Sequence, residues 1–215
     1  MLFKRLLYSC HKLLIVLVIL GASLVNFSSQ MFFTSFKPVT SFQDLRETKA
    51  TEGMHVKGNV VYALDCFAYM ETWTEKDDGT RTPAKTSSYY YAIPGVDGTF
   101  FAVEVSTKDF DAMEALATET ADYWESGLFP TTLVNLEGRM SKMDGEMVEL
   151  FHSYLKEVGY TEQEIANMGE ILYVDSTNMN TERLCFLIGV LMFIAGITFI
   201  VIRFIKSKAM VTYGY

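Results

Sequence analysis

The sequence predicts an α+β domain, a small curled β-sheet or an OB-like five-stranded barrel with three helices, flanked by two transmembrane helices. Three observations carry this. Two uncharged apolar runs lie one near each end of the chain. Between them the apolar spacing switches repeatedly from every second residue to every third or fourth. The resulting order is strand, strand, strand, helix, strand, two helices, strand, which is the order of an oligonucleotide/oligosaccharide-binding barrel with a helical pair inserted before its last strand. A mixed sheet with helices on one face is the competing arrangement, because strand pairing is not written in a single sequence.

The first apolar run, LLIVLVILGASLVNF at 13–27, holds no charge, and apolar character resumes at Met31, Phe32 and Phe33. The second, LCFLIGVLMFIAGITFIVI at 184–202, supplies nineteen uncharged positions with no polar face. A hydrocarbon core of about 30 Å needs about 20 helical residues, so both runs are read as spans, over 13–33 and 184–202. The basic start, the short apolar stretch and the small residues Gly21, Ala22, Ser23, Ser28 and Ser29 also fit a cleaved secretory signal. Gly21, Ala22 and Ser23 in one run and Gly189, Ala195 and Gly196 in the other would permit close helix contact. Neither run contains an ionisable residue, which argues against a proton relay, an ion path or a voltage sensor.

Charge orients the segments. Lys4, Arg5 and Lys12 precede the first run, Arg203, Lys206 and Lys208 follow the second, and neither end has an acid. Residues 37–182 hold all 26 acidic groups and eleven basic ones, a net charge of −15. Basic flanks remain on the cytoplasmic side. The expected layout is therefore a cytoplasmic tail at 1–12, an extracytoplasmic domain at 34–180 and a second cytoplasmic tail at 203–215 in a cell membrane.

Along the domain, Ser41 is placed to cap a short helix, FQDLRE, before Gly53 breaks it. Met54, Val56, Val60, Tyr62 and Leu64 alternate around Gly58 as a half-buried strand. Residues 74–86, with Asp77, Asp78 and Gly79, form a polar exposed loop. Residues 88–93 and 99–105 make a hairpin, with Tyr89, Tyr91 and Ile93 on one face and Phe101, Val103 and Val105 likewise aligned. A helix opened by Ser106 or Thr107 follows, its buried stripe being Phe110, Met113, Leu116, Ala117, Thr120 and Trp124, and it ends before Gly127 and Pro130. Residues 133–143 return to strand. Met147, Val148, Leu150, Phe151, Tyr154, Leu155 and Val158 give a second helix closed by Gly159, and Thr161 with Glu164 makes a capping box for a third. EILYVD at 170–175 is the last strand. Gly58 and Gly138, each set among alternating apolar residues, mark bends of two strands in one curled sheet, with the helix at 110–124 covering it.

The stretches TSFQDL at 40–45, VKGNVVYALDCFA at 56–68 and SYYYAIPG at 88–95, between two anchors, resemble uncharacterised two-span membrane proteins of Gram-positive bacteria. The resemblance implies a bacterial cell-membrane setting and carries over no activity and no site residues.

The common chemical signatures are missing: there is no Gly-rich phosphate loop, no G-x-S-x-G and no H-E-x-x-H. Glu149 and His152 have the E-x-x-H spacing of di-iron bundles, but that site needs a second such pair and further glutamates on facing helices. His55 reads as a packed or surface histidine, and Asp77, Asp78 and Gly79 as a solvated turn rather than a calcium loop. The run Tyr89, Tyr90, Tyr91 reads as sheet packing before it reads as a stacking platform. Of three cysteines, Cys10 and Cys185 border or enter the apolar runs, which leaves Cys66 as a core thiol or a reactive or intermolecular one. No catalytic, cofactor-binding or metal residue is therefore assigned. The expected partners are the lipid bilayer and another membrane or envelope protein, and the charge of −15 opposes nucleic acid. A non-enzymatic binding or assembly module is the leading expectation. An envelope hydrolase with a site assembled from distant residues, or a sensor subunit that needs a partner for its output, are the alternatives.

Overall fold

A computed structural model describes residues 2–176 and 179–212, with side chains over 12–176 and 179–205. Lys4, Arg5, Cys10, Lys206 and Lys208 therefore lie outside the described side chains. The chain forms two compact units, a helix pair and a domain of residues Lys37–Asn178.

The helix pair consists of α1, Leu2–Thr34, and α5, Met179–Thr212. Both are long and apolar enough to cross a membrane, over Lys12–Thr34 and Met179–Ile205. They pack on each other through a glycine seam. A Cβ on Gly21 would lie 2.7 Å from the backbone nitrogen of Phe193, and one on Gly189 would lie 2.9 Å from the Gly21 carbonyl oxygen. In lipid, close backbone approach replaces the hydrophobic effect as the force that pairs helices. Phe32 stacks on Phe186 with ring centroids 4.0 Å apart, and Arg183 donates to the Ser35 carbonyl at 3.3 Å.

The domain holds β1 (Val39–Thr40), β2 (His55–Val60), β3 (Cys66–Thr72), β4 (Lys85–Pro94), β5 (Phe100–Ser106), α2 (Phe110–Ser126), β6 (Val134–Lys142), α3 (Gly145–Glu157), α4 (Glu162–Met168) and β7 (Leu172–Asp175). The strands form one mixed sheet in the order β1-β2-β6-β7-β5-β4-β3. The β1–β2 and β5–β7 pairs are parallel and the rest antiparallel.

This corrects the expected five-stranded OB-like barrel. Two further strands, β1 and β3, extend the row at its two ends, and among the described residues no pairing joins them into a ring. The competing arrangement with helices on one face is also revised, since helices pack on both. One face carries Val56, Val60, Tyr91, Ile93, Phe101, Val103, Val105, Val134, Leu136, Met140 and Val174, covered by Met113 and Leu116 of α2, by Phe42, and by Leu45 of the short helical turn Asp44–Arg46. On the other, Ala92 and Ala102 are direct cross-strand partners, and their small side chains give room for Phe151 and Leu155 of α3 and Ile165 of α4. Filling both faces of an open sheet stabilises it without closure, each large apolar side chain contributing about 1.5–3 kcal/mol.

Local chemistry explains the element ends. Ser41 caps the short turn, accepting the Asp44 N–H at 3.1 Å while Asp44 accepts the Ser41 N–H at 3.0 Å. The Thr161–Glu164 capping box forms as expected, and Gly127 ends α2 in the left-handed conformation. Gly58 and Gly138 lie on the adjacent strands β2 and β6, where Val56 faces Gly138 and Gly58 faces Leu136. Gly58 takes φ +142°, and a Cβ on Gly138 would enter the carbonyl of Asp175. The first glycine is required by conformation and the second by close backbone approach.

Candidate functional site

Two surfaces of the domain need a reason beyond packing. The first is the α2–β6 connection, residues 127–133, GLFPTTL. Gly127 turns the chain out of α2, and Pro130 keeps it extended. Trp124, Leu128, Phe129 and Leu133 are then 61%, 74%, 70% and 71% exposed. The expected burial of Trp124 on the α2 stripe is thus corrected: Met113, Leu116 and Thr120 are buried, but the stripe ends there and Trp124 turns to solvent.

This apolar tip is held in place. Glu119 of α2 accepts the N–H of Thr131 at 2.5 Å, the N–H of Thr132 at 2.8 Å and the Thr132 hydroxyl at 2.7 Å. Those bonds, first the one from the Thr132 backbone, hold the Glu119 carboxyl below its ordinary range. Phe129 meets Tyr123 at 5.0 Å, Tyr123 meets Tyr62 at 5.3 Å, and Arg46 lies 4.6 Å over the Tyr62 ring. At the base of the helix, the buried Thr120 hydroxyl donates to the Leu116 carbonyl at 2.7 Å and accepts the Ala63 N–H at 3.2 Å. An exposed apolar group with a fixed backbone is the usual form of a docking element.

The second surface is a polar row across the sheet. Tyr90 of β4 pairs with Glu104 of β5, Asp175 of β7 pairs with Arg139 of β6, and Arg139 pairs with His55 of β2. Burial, and after it the Asp175 charge, raises the Glu104 carboxyl above its ordinary value. Tyr90 and Tyr173 are both pushed up to about 12, chiefly by burial. His55, only 3% exposed, meets Glu137 at 3.0 Å through Nε2, while its buried Nδ1 has no partner among the described residues. Lys57 donates to the same carboxylate at 2.8 Å, and Arg139 donates to Ser141 at 2.8 Å and Glu52 at 3.3 Å. His55 thus faces a carboxylate rather than a nucleophile, and the neighbouring charges are taken up in the ion pairs Lys57–Glu137, Arg139–Glu52 and Lys142–Glu170.

The other residues singled out in the sequence are scattered. Tyr91 is fully buried and donates to Glu114, Tyr89 packs on Phe110 at 4.0 Å, and Tyr90 lies on the opposite face. The Cys66 thiol donates to the Ala68 carbonyl at 3.2 Å, and burial raises its pKa, which disfavours the reactive thiolate. Asp78 accepts from the Thr80 N–H at 2.9 Å in a turn around Gly79. Glu149 is exposed and His152 half-buried on α3. Among the described residues no group of three or more His, Cys, Asp or Glu side chains is arranged to hold a metal ion.

Periodicity does not single out the tip, although its signal is simple. Leu128, Phe129 and Leu133 flank Gly127 and Pro130, where a connecting loop is ordinarily polar.

No curated protein and no solved structure matches the chain. A family model described as a domain of unknown function (DUF8577) matches residues 2–206, and the chain belongs to that family.

Proposed function

We propose that the chain is a non-enzymatic binding or assembly module, anchored in the cell membrane by α1 and α5, with both termini cytoplasmic and the 37–178 domain extracytoplasmic. The domain docks another membrane or envelope protein through the α2–β6 tip. The observation that carries this reading is the display of Trp124, Leu128, Phe129 and Leu133 on a backbone fixed by Glu119. Large apolar side chains held mostly in water are stabilised by a partner that covers them. The basic ends and the charge of −15 over residues 37–182 support the orientation. The cell-membrane setting also agrees with the resemblance to two-span proteins of Gram-positive bacteria.

The test is chemical crosslinking in cells followed by purification in mild detergent, comparing the native chain with the double substitution Leu128→Ser, Phe129→Ser. Leu128 is 74% and Phe129 70% exposed, so the domain should melt nearly unchanged while the crosslinked complex is lost. A complex of the same size and yield from the double variant would remove the docking role.

A further inference from the structure

We infer that the occupant of the tip is a protein face with an apolar centre and a rim of Lys and Arg, and not the lipid bilayer; this rests on the docking role proposed above. The charge around the tip carries the inference. Helix α2 holds Asp111, Glu114, Glu119, Asp122 and Glu125 and no basic residue, and residues 127–136 are uncharged. Glu119 is occupied by Thr131 and Thr132, and Glu114 by the Tyr91 hydroxyl. Asp122 and Glu125 are exposed in the last turns of α2, beside Trp124 and before Leu128. Arg46, the cation reached by the aromatic row, lies over Tyr62. The tip is thus an apolar point with an acidic collar.

Segments that dip into a bilayer surround their apolar residues with Lys and Arg, because the headgroup surface attracts cations. The collar has the opposite sign, and it sits on a domain whose whole charge repels an anionic surface. A protein face that offers an apolar pocket to Phe129 and Leu128, with cations opposite Asp122 and Glu125, matches both features. Complementary charge of this kind selects the partner and speeds encounter, while the buried aromatic supplies the anchor. The fixed backbone reduces the ordering that docking requires.

The chain contains two tryptophans, so Trp73→Phe leaves Trp124 as the sole indole reporter at the tip. The full chain with that substitution is placed in phosphatidylcholine nanodiscs and titrated with two probes, an amphipathic helical peptide of Leu and Lys and its Leu and Glu counterpart. Trp124 emission should move to the blue with the Lys peptide, and binding should weaken at least about tenfold with the Glu peptide, with Leu128→Ser, Phe129→Ser, or with Asp122→Lys, Glu125→Lys. Equal response to both peptides, no response to either, or indifference to the charge reversal would overturn the inference. Quenching of Trp124 by brominated lipid before peptide is added would assign the tip to the bilayer. Loss of the cellular complex in the double Ser variant together with equal peptide responses would remove only the partner chemistry. Survival of that complex would remove the docking role itself.

Discussion

The Glu119 carboxylate on α2 closes onto Thr132 of the following loop, accepting its N–H at 2.8 Å and its hydroxyl at 2.7 Å. A helix side chain thereby fixes the backbone that displays Leu128 and Phe129. Glu119→Ala should leave α2 and the sheet intact but release the tip, seen as faster amide exchange at Leu128, Phe129, Thr131 and Thr132. The interaction also carries a pH signature. A carboxylate whose folded-state value is depressed contributes stability above its ordinary value and loses it as the pH falls through the lowered one. Tip exchange in the native chain should therefore rise in that acid window, and in Glu119→Ala it should be fast throughout.

The two sheet glycines separate two physical requirements. At Gly138 a valine would drive its Cβ into the Asp175 carbonyl, at the end of the neighbouring strand β7. At Gly58 there is space, with Ser41 3.9 Å away, but φ is +142°. Gly79 has a positive φ in an exposed turn with nothing within 4 Å. Thermal melts should rank Gly138→Val as the most damaging, then Gly58→Val, then Gly79→Val, the strained positions costing about 1–3 kcal/mol each from backbone alone. Equal melts at all three sites would contradict the close approach of β7 to β6.

Glu104 titrates in the opposite sense to Glu119. Its folded value is raised, first by burial and then by Asp175, so its contribution is complete below the ordinary glutamate value and is lost as the pH rises through the raised one. Glu104→Gln keeps a polar group beside Ser88 and Tyr90 without the charge. The variant should melt higher than the native chain at neutral pH, and the difference should vanish in acid.

Within the helix pair, Gly189 lies against Gly21, Leu24 and Val25 of α1. Gly189→Leu should separate the two spans, read as loss of the Phe32–Phe186 ring contact in nuclear Overhauser spectra of the detergent-solubilised chain. Gly189→Ala should weaken the same contact to a smaller degree.

Much of this architecture was legible because it rests on local chemistry. The uncharged runs, the 88–105 hairpin, the Thr161–Glu164 box and the Gly127 stop each follow from a few adjacent residues. Strand β3 was hidden for a physical reason. Register shifts between Cys66 and Ala68 and between Met70 and Glu71 break its alternation. It is also an edge strand with only Ala68 buried, so half of the usual pattern is absent. Strand β1, two residues long, has no pattern to read. The placement of α2 and α3 on opposite faces depends on pairing between distant strands, which no local spacing encodes. Trp124 fits the helical period of Met113, Leu116 and Thr120, so local spacing places it on the buried stripe. Only the Gly127 turn and the Glu119 bonds beyond it show that the helix has by then left the sheet.

The central claim is that the domain lies outside the cytoplasm with its tip covered by a partner, and cysteine labelling in intact cells tests both parts together. With Cys10, Cys66 and Cys185 replaced by Ser, single cysteines are introduced at Asp77, in the exposed β3–β4 loop, and at Leu128, at the tip. A membrane-impermeant maleimide should label Asp77→Cys in intact cells. It should label Leu128→Cys slowly there and rapidly once the chain is purified away from its partner. Labelling of Asp77→Cys only after the cells are permeabilised would contradict the orientation, and equally fast labelling of both positions in intact cells would contradict the covered tip.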